Sequence, residues 1–130
     1  MDKVVLVVDD SATVRKFVAA SLNIKGFRVV TAADGVEALE RMPAEKFDLI
    51  ITDLNMPDMD GFEFIRSIRE TPEYCEIPII VLSSMTDLKN KDHALELGAV
   101  AFLEKPLSTE AIQREVFRFV NKTIQHSGRT

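Results

Sequence analysis

The 130-residue chain has one cysteine, Cys75. A single thiol can close no internal disulfide and supply no multi-cysteine zinc site. Long apolar runs are also missing. The run Val4 to Val8 is cut off at once by Asp9 and Asp10, far short of the roughly 20 residues of a membrane span, and no leader pattern is present. Positive charge is in deficit, with a net charge of −5 and a pI near 5.0, which argues against general binding to a nucleic-acid backbone. No repeat, low-complexity tract or interdomain linker is found. What is there is 46% hydrophobic and 28% charged, the make-up of an ordinary globular protein rather than a disordered one. A chain of this length buries roughly two thirds of its unfolded surface, so one domain with a real core is expected. The expectation is a soluble, cytoplasmic protein with no nucleic-acid or membrane partner.

Apolar runs alternate with amphipathic stretches from end to end. Val4 to Val8 is β-branched with no polar alternation, the pattern of a strand covered on both faces. Ser11 is placed to cap a helix carrying Val14, Phe17, Val18 and Leu22, with Gly26 as its stop. Phe27 to Thr31 reads as a second strand, Asp34-Gly35 as a turn, and Val36, Leu39 and Met42 as a short helix ending near Pro43. Leu49 to Ile51 is a third strand running into Asp53. A loop from Leu54 to Gly61 precedes a helix with Phe62, Ile65 and Ile68. Ile79 to Leu82 is a fourth strand ending at Ser83, followed by a helix that stops at Gly98. Val100 to Leu103 is a fifth strand, and Ser108 caps a last helix to about Ile124, leaving a polar tail, 125–130, expected to fray.

Five strands alternating with five helices predict a parallel α/β sheet covered on both faces. Ligands of such folds bind beyond the carboxyl ends of the strands, where strand order reverses. At those ends stand Asp9 and Asp10, Asp53, Ser83 and Lys105. In the order 2-1-3-4-5, the four strands that carry them are contiguous and their polar groups converge. Carboxylates about 5 Å apart repel by roughly 3 kcal/mol per pair at an effective dielectric near 20, and Lys105 offsets only one of three. Such a cluster suits a hard divalent cation, Mg²⁺ best of all. A cation beside a free lysine and a hydroxyl is suited to phosphoryl transfer, which rests on positioning and charge neutralisation, and a carboxylate can itself be the nucleophile. Asp53, lying between the other acids and the Ser83/Lys105 side, is the best placed. Taken singly, an Asp-Asp pair after a strand is usually a turn or helix cap, and a Lys-Pro is usually a loop. Their coincidence at four strand ends is what carries the functional reading. The stretch Asp53 to Asp58 is no calcium loop, since Pro57 takes a ligand position and Asp58 the position that needs glycine.

The motifs Val8-Asp9-Asp10-Ser11, Thr52-Asp53-Leu54-Asn55-Met56-Pro57 with Asp60-Gly61, Leu82-Ser83-Ser84, and Phe102-Leu103-Glu104-Lys105-Pro106 together resemble the receiver domain of bacterial response regulators, from about Lys3 to Val120. The resemblance implies a flavodoxin-like (βα)5 three-layer sandwich over residues 1–124. It implies that Asp53 accepts a phosphoryl group from a sensor histidine kinase. Asp10, Asp53 and the backbone carbonyl of Asn55 would bind Mg²⁺, with Asp9 acting indirectly. Ser83 and Lys105 would contact the phosphoryl oxygens, Phe102 would be the switch aromatic, and the bond before Pro106 would be cis. The implied protein is a single-domain phosphorylation-dependent switch rather than an enzyme, monomeric before phosphorylation, with chemotaxis as one pathway it suggests. Its downstream protein would dock on the face formed by the fourth helix, fifth strand and fifth helix.

Three departures matter. Ser83 stands where many members have threonine, Phe102 replaces the tyrosine of chemotaxis members, and Met85 cannot hydrogen-bond a hydrolytic water, so Met85→Glu is expected to alter self-dephosphorylation. On the last helix, Phe117 and Ile124 widen the apolar arc to roughly 160° at about 100° per residue, which suits either generous core packing or a partner surface. The alternative function is a small phosphatase of haloacid-dehalogenase type. That family carries its nucleophile and a second aspartate after the first strand, whereas here the acceptor follows the third, with Asn55 two residues on. A flavin carrier is disfavoured by the repulsion of Asp9 and Asp10 for a phosphate.

Overall fold

The structure, a computed structural model, describes residues 2–84 and 88–129, with backbone only for 88, 89 and 121–129. Five strands form one parallel sheet: β1 (Val4–Val8), β2 (Arg28–Ala32), β3 (Leu49–Asp53), β4 (Ile79–Ser83) and β5 (Ala101–Glu104), in the order β2-β1-β3-β4-β5. The connecting helices are α1 (Ala12–Asn23), α2 (Gly35–Arg41), α3 (Gly61–Glu70), α4 (Leu88–Glu96) and α5 (Thr109–Arg129), with a 3-10 turn at Met42–Ala44.

Side chains alternate across the strands and divide the core in two. Val5, Val7, Leu49, Ile51, Ile80 and Leu82 pack with Val18 and Leu22 of α1 and Ile112, Val116 and Val120 of α5. Leu6, Val8, Ile50 and Val81 pack with Ala38 of α2, Phe64, Ile65 and Ile68 of α3, and Ala94 of α4. The unalternating apolar runs of the sequence are explained by this covering on both faces. Each fully buried leucine or isoleucine contributes about 1.5–3 kcal/mol relative to exposure.

The opposite end of the sheet from the strand termini is tied by one cation. Arg69, near the end of α3, donates from Nη1 to the carbonyls of Cys75 and Ile77 and from Nη2 to that of Gly98, each at 2.8 Å. Burial lowers its pKa, partly countered by the nearby Cys75. Gly98 has φ +107, and a Cβ there would lie 2.6 Å from Arg69 Nε, so glycine is required both for the turn and for the guanidinium.

Several boundaries differ from the sequence reading. Asp34-Gly35 is not a free turn. Asp34 is the N-cap of α2, its carboxylate accepting from the Glu37 N–H at 2.8 Å, and Gly35 is the first helical residue. β2 and β5 each begin and end one residue later than read, because pairing rather than composition sets their ends: Val4 pairs with Arg28 and Ser83 with Glu104. The α5 backbone stays helical to Arg129, so 125–129 continues the helix. Nothing from Asn121 to Ser127 breaks it, since no proline occurs there. Met85 lies outside the described residues.

Candidate functional site

All five strands run the same way, so the residues just beyond each one emerge at a common rim. Asp9 directly follows β1 and is wholly buried. Its Oδ1 accepts the Ser11 N–H at 2.8 Å, its backbone carbonyl accepts from Arg15 Nη1 at 2.6 Å, and its own N–H donates to the Ala32 carbonyl. This aspartate is therefore fixed from three directions. Ser11 also caps α1, its hydroxyl accepting the Val14 N–H. Asp10, beside it, is exposed.

Asp53 ends β3 and is 7% exposed. The Leu54 N–H donates to its Oδ1 at 2.9 Å, and the Asn55 N–H also donates to its carboxylate. Carboxylate oxygens of Asp9, Asp10 and Asp53 lie within 4.8 Å of one another. Lys105 Nζ stands 3.4 Å from Asp9 Oδ2 and 3.6 Å from Asp53 Oδ1. The Lys105 N–H donates to the Ser83 carbonyl at 2.8 Å, and the Lys105–Pro106 peptide is cis. Among the described residues, one ammonium thus serves two carboxylates and no ion pair reaches Asp10.

Burial, and next the charge of Asp9, raise the Asp53 pKa above its ordinary carboxylate value, while Lys105 and the two amides pull the other way. That balance marks a site short of positive charge. Ser83 is 3% exposed, and its Oγ finds no hydrogen-bond partner among the described residues. A buried hydroxyl left alone costs about 1–3 kcal/mol, so its position at this rim calls for an explanation. The donor set fits a hard cation: three oxygen ligands close together, one at the surface for access, two in the interior.

The acceptor loop is built as carefully as the acidic cluster. A Cβ on Gly61 would stand 2.4 Å from the Asp53 carbonyl oxygen and 2.6 Å from Leu54 Cα, so only glycine lets α3 start directly behind Asp53. The Gly61 N–H bonds the Leu54 carbonyl at 2.8 Å. Asp60 and Glu63 form a reciprocal capping box at the start of α3. That box was legible as Asp-x-x-Glu before an apolar stretch, but the sequence reading gave neither residue a role.

Phe102 is half-buried on β5. Lys91 of α4 lies 5.7 Å from its ring centroid and 2.8 Å from Glu104, a cover the sequence reading missed because α4 and β5 meet only in the fold. Phe117 is 41% exposed and edge-on to Phe27, with centroids 5.3 Å apart, so its ring has a partner inside the chain. The side chain of Ile124 lies outside the described residues. Among the described residues no helix is long and apolar enough to cross a membrane.

A family model of the response regulator receiver domain matches residues 5–124. The structure of the chemotaxis response regulator CheY4 of Vibrio cholerae is similar, with TM-score 0.86 and 39% identity over 92% of this chain and 99% of that one. A response regulator receiver protein from Pseudomonas putida has TM-score 0.80 and 35% identity over 94% and 98%. The probable transcriptional regulator ycf27 of Guillardia theta is 39% identical over 91% of this chain but only 46% of its own length. This chain spans about half the length of the first curated relatives it matches. The phosphatase and flavin-carrier alternatives give way to this match. With five parallel strands in the order 2-1-3-4-5, five helices and this rim of residues, the chain belongs to the CheY-like receiver domains of two-component response regulators.

Proposed function

We propose that Asp53 is the phosphoryl acceptor of this receiver domain and that the acidic cluster binds Mg²⁺. Receiver domains act as phosphorylation-dependent switches, take their phosphoryl group from histidine kinases and dock downstream targets. In the reaction inferred here, an Asp53 carboxylate oxygen forms a bond to phosphorus as the phosphorus–nitrogen bond of a kinase phosphohistidine breaks. The imidazole leaves with the bonding electron pair. Asp10, Asp53 and the Asn55 carbonyl would hold Mg²⁺, with Asp9 acting indirectly through the network around Lys105. When bound, Mg²⁺ supplies neutralisation of the charge on the phosphoryl oxygens.

The chain's own groups do the rest. Lys105, already within 3.6 Å of Asp53, pairs with a phosphoryl oxygen, and the Ser83 hydroxyl finds in that group the partner it lacks. Phe102 then changes position, and with it the face formed by α4, β5 and α5, where a downstream protein docks. The site works in the cytoplasm, on a chain monomeric before phosphorylation. The observation that carries this reading is the shortage of positive charge at Asp9, Asp10 and Asp53 beside an orphaned buried hydroxyl. Mass measurement after treatment with acetyl phosphate and Mg²⁺ tests it: the wild type should gain one phosphoryl group and Asp53→Asn none. Equal labelling of both would overturn the assignment.

A further inference from the structure

The loop that positions Asp53 is walled at its far side by another element. Met59, in the β3–α3 loop, packs against Gly35, the first residue of α2: a Cβ on Gly35 would lie 2.9 Å from Met59 Sδ, 3.0 Å from Cγ and 3.2 Å from Cβ. Gly35 is not needed for backbone freedom, because it is helical and is not among the described glycines with positive φ, Gly26 and Gly98. Helix propensity alone would favour alanine there. The missing side chain is therefore room for Met59.

The wall cannot easily yield. Asp34 caps α2 through the Glu37 N–H at 2.8 Å, and Glu37 Oε1 in turn accepts the Ala33 N–H at 2.6 Å. Rotation of Met59 can relieve the contacts at Sδ and Cγ but not the one at Cβ, 3.2 Å away, which is fixed to the loop backbone. The tightest bend of that loop is the three-residue turn closed by the Met59 N–H on the Pro57 carbonyl at 2.7 Å, with Asp58 at φ 67, a conformation that costs a non-glycine residue free energy. The same loop supplies the Leu54 and Asn55 N–H groups that hold the Asp53 carboxylate.

We infer that Gly35 is a positioning residue for the phosphoryl-acceptor site, acting through Met59 to hold the 54–60 loop where it presents its backbone to Asp53. This deepens the function proposed above and rests on it for the readouts that use Mg²⁺. A Cβ at position 35 pushes Met59 outward and the loop with it, so Mg²⁺ affinity and phosphoryl acceptance fall together while the core stays packed.

A double-mutant cycle of Gly35→Ala and Met59→Ala tests this. Readouts are Mg²⁺ titration followed by amide NMR, the rate of labelling by acetyl phosphate, and urea unfolding of the metal-free protein. Gly35→Ala alone should raise the Mg²⁺ dissociation constant at least about twofold, the lower end of couplings between touching residues, and move the amide signals of residues 54–60. In the Met59→Ala background, the same substitution should leave the constant within about 1.5-fold and raise the urea midpoint, since only the helix preference for alanine remains. An unchanged constant in Gly35→Ala, or an equal change in both backgrounds, would overturn the inference. Should the wild type bind no Mg²⁺ and accept no phosphoryl group, the proposed function fails. The metal-free amide shifts then decide the coupling by themselves: movement of 54–60 only when Met59 is present supports it, and none contradicts it.

Discussion

The two ends of the sheet treat buried charge in opposite ways. At the end away from the strand termini, the Arg69 guanidinium is answered by three backbone carbonyls at 2.8 Å. Every contact there is made by the chain itself, and the outcome is a joint between α3, the loop leading into β4 and the turn before β5. At the carboxyl rim, one ammonium serves two of three clustered carboxylates, and a buried hydroxyl has no partner among the described residues. The first end is finished on folding. The second is left open, and the proposed cation and phosphoryl group would supply what it lacks.

The sharpest way to break this contrast is at the finished end. Arg69→Ala should cost about 2 kcal/mol in urea unfolding, because it leaves three part-buried carbonyls without their charged donor. Arg69→Lys should recover less than half, one ammonium being unable to match a guanidinium fork on three acceptors. Neither variant should change Mg²⁺ affinity. A loss below about 1 kcal/mol would mean that the joint is not closed by Arg69.

At the unfinished end the sign reverses. Asp53 has a carboxyl pKa raised in the folded protein, so the native state binds a proton more readily than the unfolded chain does. Its ionisation therefore weakens the metal-free fold, and stability falls as pH rises from the ordinary carboxylate value through the raised one. Asp53→Asn removes the charge and should stabilise the metal-free protein at neutral pH, with a smaller fall across that pH window. A less stable variant would show that Lys105 already compensates the cluster.

The smallest effect should come from Lys91→Ala, which removes the contacts to Glu104 and Phe102. An exposed pair of this kind contributes about 0.5 kcal/mol or less, so the melting temperature should scarcely move. A loss above about 1 kcal/mol would place α4 and β5 among the finished parts of the molecule.

Legibility in the sequence divides along the same line. β1 is apolar throughout, and β3 and β4 are apolar until their last residues, because both faces are covered. The residues at the strand ends could be read because a parallel sheet sends them all to one rim: Asp9, Asp10, Asp53 and Lys105 cluster there, and Ser83 ends the neighbouring strand. What sequence could not show was anything that depends on elements meeting across the fold. Arg69 reads as an ordinary helix-surface cation, and its three carbonyls belong to residues 6, 8 and 29 positions away. Gly35 reads as half of an Asp-Gly turn, whereas its role is set by Met59 of a distant loop. The ends of β2 and β5 fall one residue later than their apolar runs because hydrogen-bond register, not hydrophobicity, decides where an edge strand stops.

The central claim is that the rim lacks positive charge which Mg²⁺ supplies. Urea unfolding of wild type and Asp53→Asn across a Mg²⁺ titration tests this most directly. Binding to the native state alone should stabilise the wild type by about 2.7 kcal/mol at one hundred times the dissociation constant, and the variant by much less. A wild type whose stability ignores Mg²⁺, or a variant that responds equally, would contradict it.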